Sequence, residues 1–148
     1  MPTLHDPAFR ESIKSRLRAL KADAQPRFGS MTADQAVWHL GTGLETSLGK
    51  VNISGEKAPF PLPKAMLRLV VLYLPWPKGS PTMSVMKASG RKNIDAERER
   101  CLKLLDEFVS KPIDAEWPVH PMMGNLSGKQ YSHLQARHFD HHLAQFGV

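Results

Sequence analysis

The sequence has a single cysteine, Cys101, in 148 residues. No intrachain disulfide can form, and neither can a metal site built on thiolates within one chain. A chain that folds without disulfides suits a reducing compartment, so a cytoplasmic protein is expected. Long apolar runs are also lacking. The longest, Leu69 to Pro77, falls far short of the roughly 20 residues that span a bilayer, and no membrane partner is expected. Met1 to Asp6 shows no basic patch followed by an apolar stretch, so no secretory signal is expected. There is no Gly-rich phosphate loop and no nucleophile elbow around a serine. No stretch alternates apolar and polar residues as a half-buried strand would, and no internal repeat appears.

Apolar residues make up 41% and charged residues 23%, the balance of a globular protein, and the length suits a single domain over 1–148. The formal charge is +6, but the basic residues are spread along the chain. The denser stretches are Lys14 to Lys21 and Arg91 to Lys103, the second interleaved with Glu97 and Glu99. A solvated helical face explains them better than a nucleic-acid surface, which ranks last among the readings. A mild preference for small anionic substrates stays open.

The apolar spacing is helical. Phe9, Ile13, Leu17 and Leu20 predict a helix from Pro7 to about Ala22. A second starts at Thr32, which has capping-box spacing to Gln35, and its stripe runs from Ala33 to Leu48, with Gly49 at its end. A short helix is expected over Lys64 to Leu74, a longer one over Ile94 to Ser110, and the last from Ser127 to about Phe146, with Gln130 as capping partner. Four long amphipathic helices and one short one predict an all-α bundle. The connections Asn52 to Pro63 and Pro75 to Gly90 are long for a bundle, as lids over a site are.

Seven histidines is a high count, and four of them fall between His133 and His142. His138 and His142 are four apart, so on a helix both imidazoles reach one ion. His138 with His141 is a second chelate of the same kind. A pair needs a third ligand, and His39 beside the apolar stripe of the second helix is the best candidate, since a polar group there needs a partner. Against this stand the bland readings: a core histidine bonded to a carbonyl and a solvated surface pair. Asp140 is expected to face away. His5 reads as incidental, His133 as a surface residue, and His120 as structural, with a smaller chance of bordering the site. Tyr131 and His141 are candidates for proton transfer, Gln145 for orienting a ligand, and Cys101 for a buried, inert thiol.

Three segments carry a family resemblance. They are Arg27 to Thr32 leading into Trp38-His39-Leu40, then Leu74 to Gly79, then His120-Pro121 with Gly124 to Ser127 and Arg137 to Gly147. With them the chain resembles the DinB/YfiT-like metal-dependent enzymes, in an uncharacterised branch, from about Leu17 to the end. Better-known members follow the second of two histidines four apart with Arg-Gly-Gln, whereas His142 is followed here by Leu143-Ala144-Gln145. The resemblance implies a four-helix bundle running up-down-down-up with one extra short helix in a long connection, often dimeric. It also implies a metal on His39, His138 and His142, and in some members a low-molecular-weight thiol as co-substrate.

Three protein ligands leave coordination positions open, the pattern of catalytic rather than structural sites. The expected function is therefore a metal-dependent hydrolase or thiol-dependent transferase acting on a small molecule, with zinc or nickel as the metal. The alternative is a non-catalytic helical interaction module with structural histidines. The Leu69 to Trp76 segment serves either a homodimer contact or the core.

Overall fold

The computed structural model describes residues 1–58 and 60–148. Five helices follow one another: α1 (Pro7–Ala19), α2 (Ala33–Ser47), α3 (Lys64–Tyr73), α4 (Ile94–Ser110) and α5 (Gly128–Gln145). One 3-10 turn, Ser84–Met86, interrupts the connection between α3 and α4. Among the described residues there is no strand, only an isolated bridge between His120 and Gly124, so the all-α expectation holds.

The helices begin where side chains satisfy free backbone donors. Asp6 Oδ1 accepts from the Ala8 and Phe9 amides at 2.9 and 3.3 Å, ahead of Pro7. The Thr32 amide donates to Gln35 Oε1 at 3.1 Å. Ser127 and Gln130 exchange both bonds of a capping box, at 3.0 and 3.2 Å. Gly49, with φ +75°, follows the end of α2 as expected. Helix α1 stops at Ala19 rather than near Ala22. Arg98 of α4 explains this: it donates to the Leu17 and Leu20 carbonyls at 3.0 and 2.5 Å, taking acceptors at the helix end that no further turn then has to satisfy.

The apolar stripes meet in one cluster that includes Leu17, Leu40, Leu44, Leu105, Phe108 and Phe139. Helices α2 and α4 form its most intimate pair. Cys101 lies inside it, and burial pushes its thiol up to about 12, which keeps it inert. Helix α3 buries Leu67 and Leu72 and leaves Met66, Leu69 and Tyr73 exposed. None of the described helices is long and apolar enough to cross a membrane.

Two histidines behave otherwise than expected. His5 is not incidental: Nδ1 lies 2.8 Å from Ser132 Oγ and Nε2 lies 2.9 Å from the Lys111 carbonyl, which clips the N-terminal segment onto α5. His133 is not on the surface but buried, with its ring nitrogens 2.7 Å from the Pro2 carbonyl and 2.9 Å from that of Leu72. Helix periodicity alone could not place these two, because their partners come from remote segments.

A buried carboxylate fixes the chain leading into α4. Asp34, in the first turn of α2, is 1% exposed. It accepts from the Lys92 amide at 2.6 Å and from Arg91 Nε and Nη2 at 3.1 and 2.9 Å. Burial alone would raise its pKa, but Arg91 and the Lys92 amide outweigh it and pull the carboxyl down to about 2. This clasp, with Gln35 Nε2 donating to the Gly90 carbonyl at 2.9 Å, anchors one end of the 75–93 connection. Asp34→Ala should cost about 1–3 kcal/mol at neutral pH, because a buried amide and a guanidinium lose their acceptor. The folded pKa lies below the unfolded one. The difference from wild type in urea melts should therefore be full above about pH 4 and fade as the pH falls toward 2.

Candidate metal centre

The spacing of His138 and His142 in α5 puts both rings on one side of that helix, facing α2. His39 meets them there. One nitrogen from each of the three rings lies within 4.8 Å of the others. The ring centroids are 4.7 Å apart for His39 and His138, 4.7 Å for His39 and His142, and 5.0 Å for His138 and His142. His39 and His138 are buried and His142 is half-buried. His39 Nε2 approaches His138 Nε2 to 2.7 Å.

The outer nitrogens decide the tautomers. His39 Nδ1 sits 2.8 Å from the Met86 carbonyl, which can only accept, so Nδ1 carries the proton. Gln145 Nε2 donates to the Phe28 carbonyl at 2.8 Å, which turns its Oε1 toward His142 Nδ1, also at 2.8 Å. Gln135 Nε2 donates to Ser47 Oγ at 2.7 Å and to the Gly43 carbonyl at 3.2 Å, so its Oε1 faces His138 Nδ1 at 3.3 Å. All three rings are thereby Nδ1–H tautomers, and their Nε2 lone pairs are the free ones. Metal-binding histidines are oriented by such acceptors.

Burial lowers the pKa of all three rings. His39 is lowered by burial against the opposing pull of the Met86 carbonyl, and His138 lies well below its ordinary value through burial and then its histidine neighbours. His142 falls to about 3, through burial and then His39. The rings stay neutral at physiological pH, which is the ligating form. Two lone pairs at 2.7 Å repel unless a positive species joins them. A proton would have to charge a buried ring, whereas a divalent cation uses all three lone pairs. The donor set therefore fits a metal ion of the kind that imidazole favours.

A cavity of about 530 Å³ opens over the three rings. Both long connections wall it, the first through Ile53 and Glu56 and the second through Trp76 and Met83. Glu56 ties the two together, accepting from the Ser84 hydroxyl at 2.5 Å and the Ser84 amide at 3.2 Å. His141 also lines the cavity, its ring centroid 5.1 Å from that of His142, and it is flanked by Trp76 and Phe28 at 5.5 and 5.2 Å. It lies outside the cluster of three. Tyr131 reaches the wall as well, but its hydroxyl donates to the Pro118 carbonyl at 2.9 Å, and burial pushes its pKa up to about 12. Asp140 pairs with Arg16 at 2.8 Å, away from the rings.

His120 borders this cavity too, with a different tautomer. Its Nδ1 accepts from the Met122 and Met123 amides, both at 3.2 Å, so Nε2 carries the proton. Burial lowers its pKa to about 4, and the ring is a neutral donor.

Sequence reasoning passed over two glycines. Leu40-Gly41-Thr42-Gly43-Leu44 lies inside α2, where each glycine costs about 1 kcal/mol relative to alanine. A Cβ on Gly41 would meet Arg100 Nη1 at 2.7 Å, and one on Gly43 would meet His138 Cε1 at 2.8 Å. Paired glycines within a helix were the available signal that something approaches closely. Gln135 offered only its position three residues before His138 as a signal, and the contacts that turn its oxygen toward the ring come from Ser47 and Gly43 across the helix pair.

Two outcomes are expected. Long-range proton–nitrogen NMR of the metal-free protein at neutral pH should show the Nδ1–H tautomer for His39, His138 and His142 and the Nε2–H tautomer for His120. Gly43→Ala should push the His138 ring aside. It should lower stability by about 1–3 kcal/mol in thermal melts, despite alanine's better helix propensity.

Comparison with curated proteins and with solved structures gave no match. A family model described as "Protein of unknown function (DUF1569)" matches residues 14–147, nearly the whole length, and the chain belongs to that family.

Proposed function

We propose that this protein holds one divalent metal ion on His39, His138 and His142 and acts as a metal-dependent enzyme on a small molecule. The observation that carries this reading is the convergence of three neutral, oriented imidazoles beneath a cavity. Zinc or nickel suits the all-imidazole donor set. When bound, such a metal supplies a Lewis acid that stabilises a hydroxide or a thiolate. The chain's own residues do the rest. The Met86 carbonyl, Gln135 and Gln145 hold the ring orientations. His141, on the wall beside His142, is the side chain proposed to exchange a proton with what binds there, with Tyr131 second because its proton is committed to Pro118. The reaction is a hydrolysis or a thiol transfer, the latter with a low-molecular-weight thiol as co-substrate.

The DinB/YfiT likeness belongs to the same proposal and goes beyond the family match. In it α1, α2, α4 and α5 are the four helices of an up-down-down-up bundle in a single domain over 1–148, and α3 is the extra one. A cytoplasmic location and a homodimer through the outer side of α3, where Met66, Leu69 and Tyr73 are exposed, complete it. That same apolar face also favours the second reading, a non-catalytic helical interaction module with structural histidines.

Elemental mass spectrometry on protein purified without a histidine tag tests the proposal. Wild type should carry about one zinc or nickel per chain, and His39→Ala and His142→Ala should each lose at least tenfold in affinity. If wild type takes up no metal on titration at neutral pH, the enzyme reading fails and the interaction module replaces it.

A further inference from the structure

The wall of the cavity has a chemical character beyond its metal end. Of the 20 lysines and arginines in the chain, only Lys57 lines it among the described residues. The one lining carboxylate, Glu56, is held by Ser84. Five of the seven methionines line it: Met31, Met83, Met86, Met122 and Met123. Methionine is flexible and polarizable and shapes itself to apolar bodies. The basic charge of the chain therefore lies elsewhere, and the cavity is not built for an anion. Its volume is within the range of pockets for small organic ligands.

Polar side chains also line the wall, Ser30, Thr46, Ser80 and Thr82 among them, but His120, outside the cluster of three rings, is the one whose donor is held in place by its own loop amides. His120 is 7% exposed, its Nδ1 is filled by two backbone amides, and its Nε2–H has no hydrogen-bond partner among the described residues. Without a protein partner, this donor on the cavity wall is open to a ligand acceptor. His120 belongs to the His120–Gly124 bridge, so its ring is fixed by the backbone rather than free to turn away.

We infer that the cavity takes an uncharged, largely apolar small molecule whose head reaches the three histidines and whose body carries an oxygen or nitrogen acceptor received by His120 Nε2–H. This inference rests on the metal reading. His120 is a specificity-determining residue in it, and takes no part in holding the metal.

The test uses zinc-loaded full-length protein and hydroxamates, whose head groups bind zinc directly. Titration calorimetry compares acetohydroxamate, octanohydroxamate, and keto analogues of the latter with the carbonyl moved along the chain. Octanohydroxamate should bind at least tenfold tighter than acetohydroxamate, since each buried methylene adds to affinity. At least one keto analogue should gain about fivefold to tenfold over its plain parent. His120→Asn keeps an acceptor for the Met122 and Met123 amides but is too short to present the donor, and it should lose that gain with zinc content unchanged. His120→Gln, which extends an amide to the Nε2 position, should recover part of it. Zinc held but no gain with chain length, or a keto gain that survives in His120→Asn, overturns the inference alone. Wild type that takes up neither zinc nor nickel overturns the metal reading, and this inference with it.

Discussion

The structure depends on a problem of protonation. Three imidazoles are packed into a largely buried corner between α2 and α5, and burial denies them charge. Neutral rings have one donor and one acceptor nitrogen each. An oxygen acceptor takes the donor side in every case: a loop carbonyl for His39, and the side-chain amides of Gln135 and Gln145 for the other two. The acceptor sides of His39 and His138 are then left facing one another, with a ring nitrogen of His142 within 4.8 Å. Among the described residues no donor reaches these lone pairs, and a cation would suit them. The surrounding architecture follows from keeping this arrangement in place.

Each oriented ring reports on a different part of the chain. Met86 ties His39 to the second long connection, which the Asp34 clasp anchors at its far end. Gln145 ties His142 to Phe28, in the turn before α2. Gln135 ties His138 back to Ser47 and the Gly43 carbonyl of α2. The site is therefore distributed over four segments. Gly43 permits the approach by leaving room for the His138 ring, at a cost in helix propensity that the close packing of α2 offsets.

Charge and site are separated in this molecule. All cations but Lys57 lie outside the cavity lining, as in the Arg100 pairs with Glu45 and Glu97 at 2.7 and 3.1 Å, while methionine, aromatic and aliphatic side chains contribute much of the cavity wall. Net charge is thus a poor guide to the ligand here, because it sums over residues that never face the cavity. The two histidines that border the cavity outside the triad differ for the same reason. His120 is fixed by its own loop amides, whereas His141 is held between aromatic rings without a bond that fixes its tautomer.

Much of this was legible in the sequence. Helical apolar spacing, the Ser127–Gln130 capping box and the missing strand alternation determined the five helices and the all-α class, because these are local consequences of a 3.6-residue period. The four-residue spacing of His138 and His142 determined that their rings share a helix side. That His39 joins them was an expectation from polarity beside an apolar stripe, and only the packing of α2 against α5 brings the rings together. Local reasoning failed where the partner is remote. His133 and His5 were misjudged because Leu72, Pro2, Ser132 and Lys111 reach them from other segments. Asp34 gave no local sign of its role. The sequence by itself determined which faces are apolar and which ligating side chains are available. The tertiary structure alone decided which nitrogen of each ring is free, because a tautomer is set by the acceptor on the opposite side. Gln135 and Gln145 sit three residues from their rings on α5, but Ser47, Gly43 and Phe28 in other segments turn their oxygens toward them, and the Met86 carbonyl reaches His39 from the second long connection.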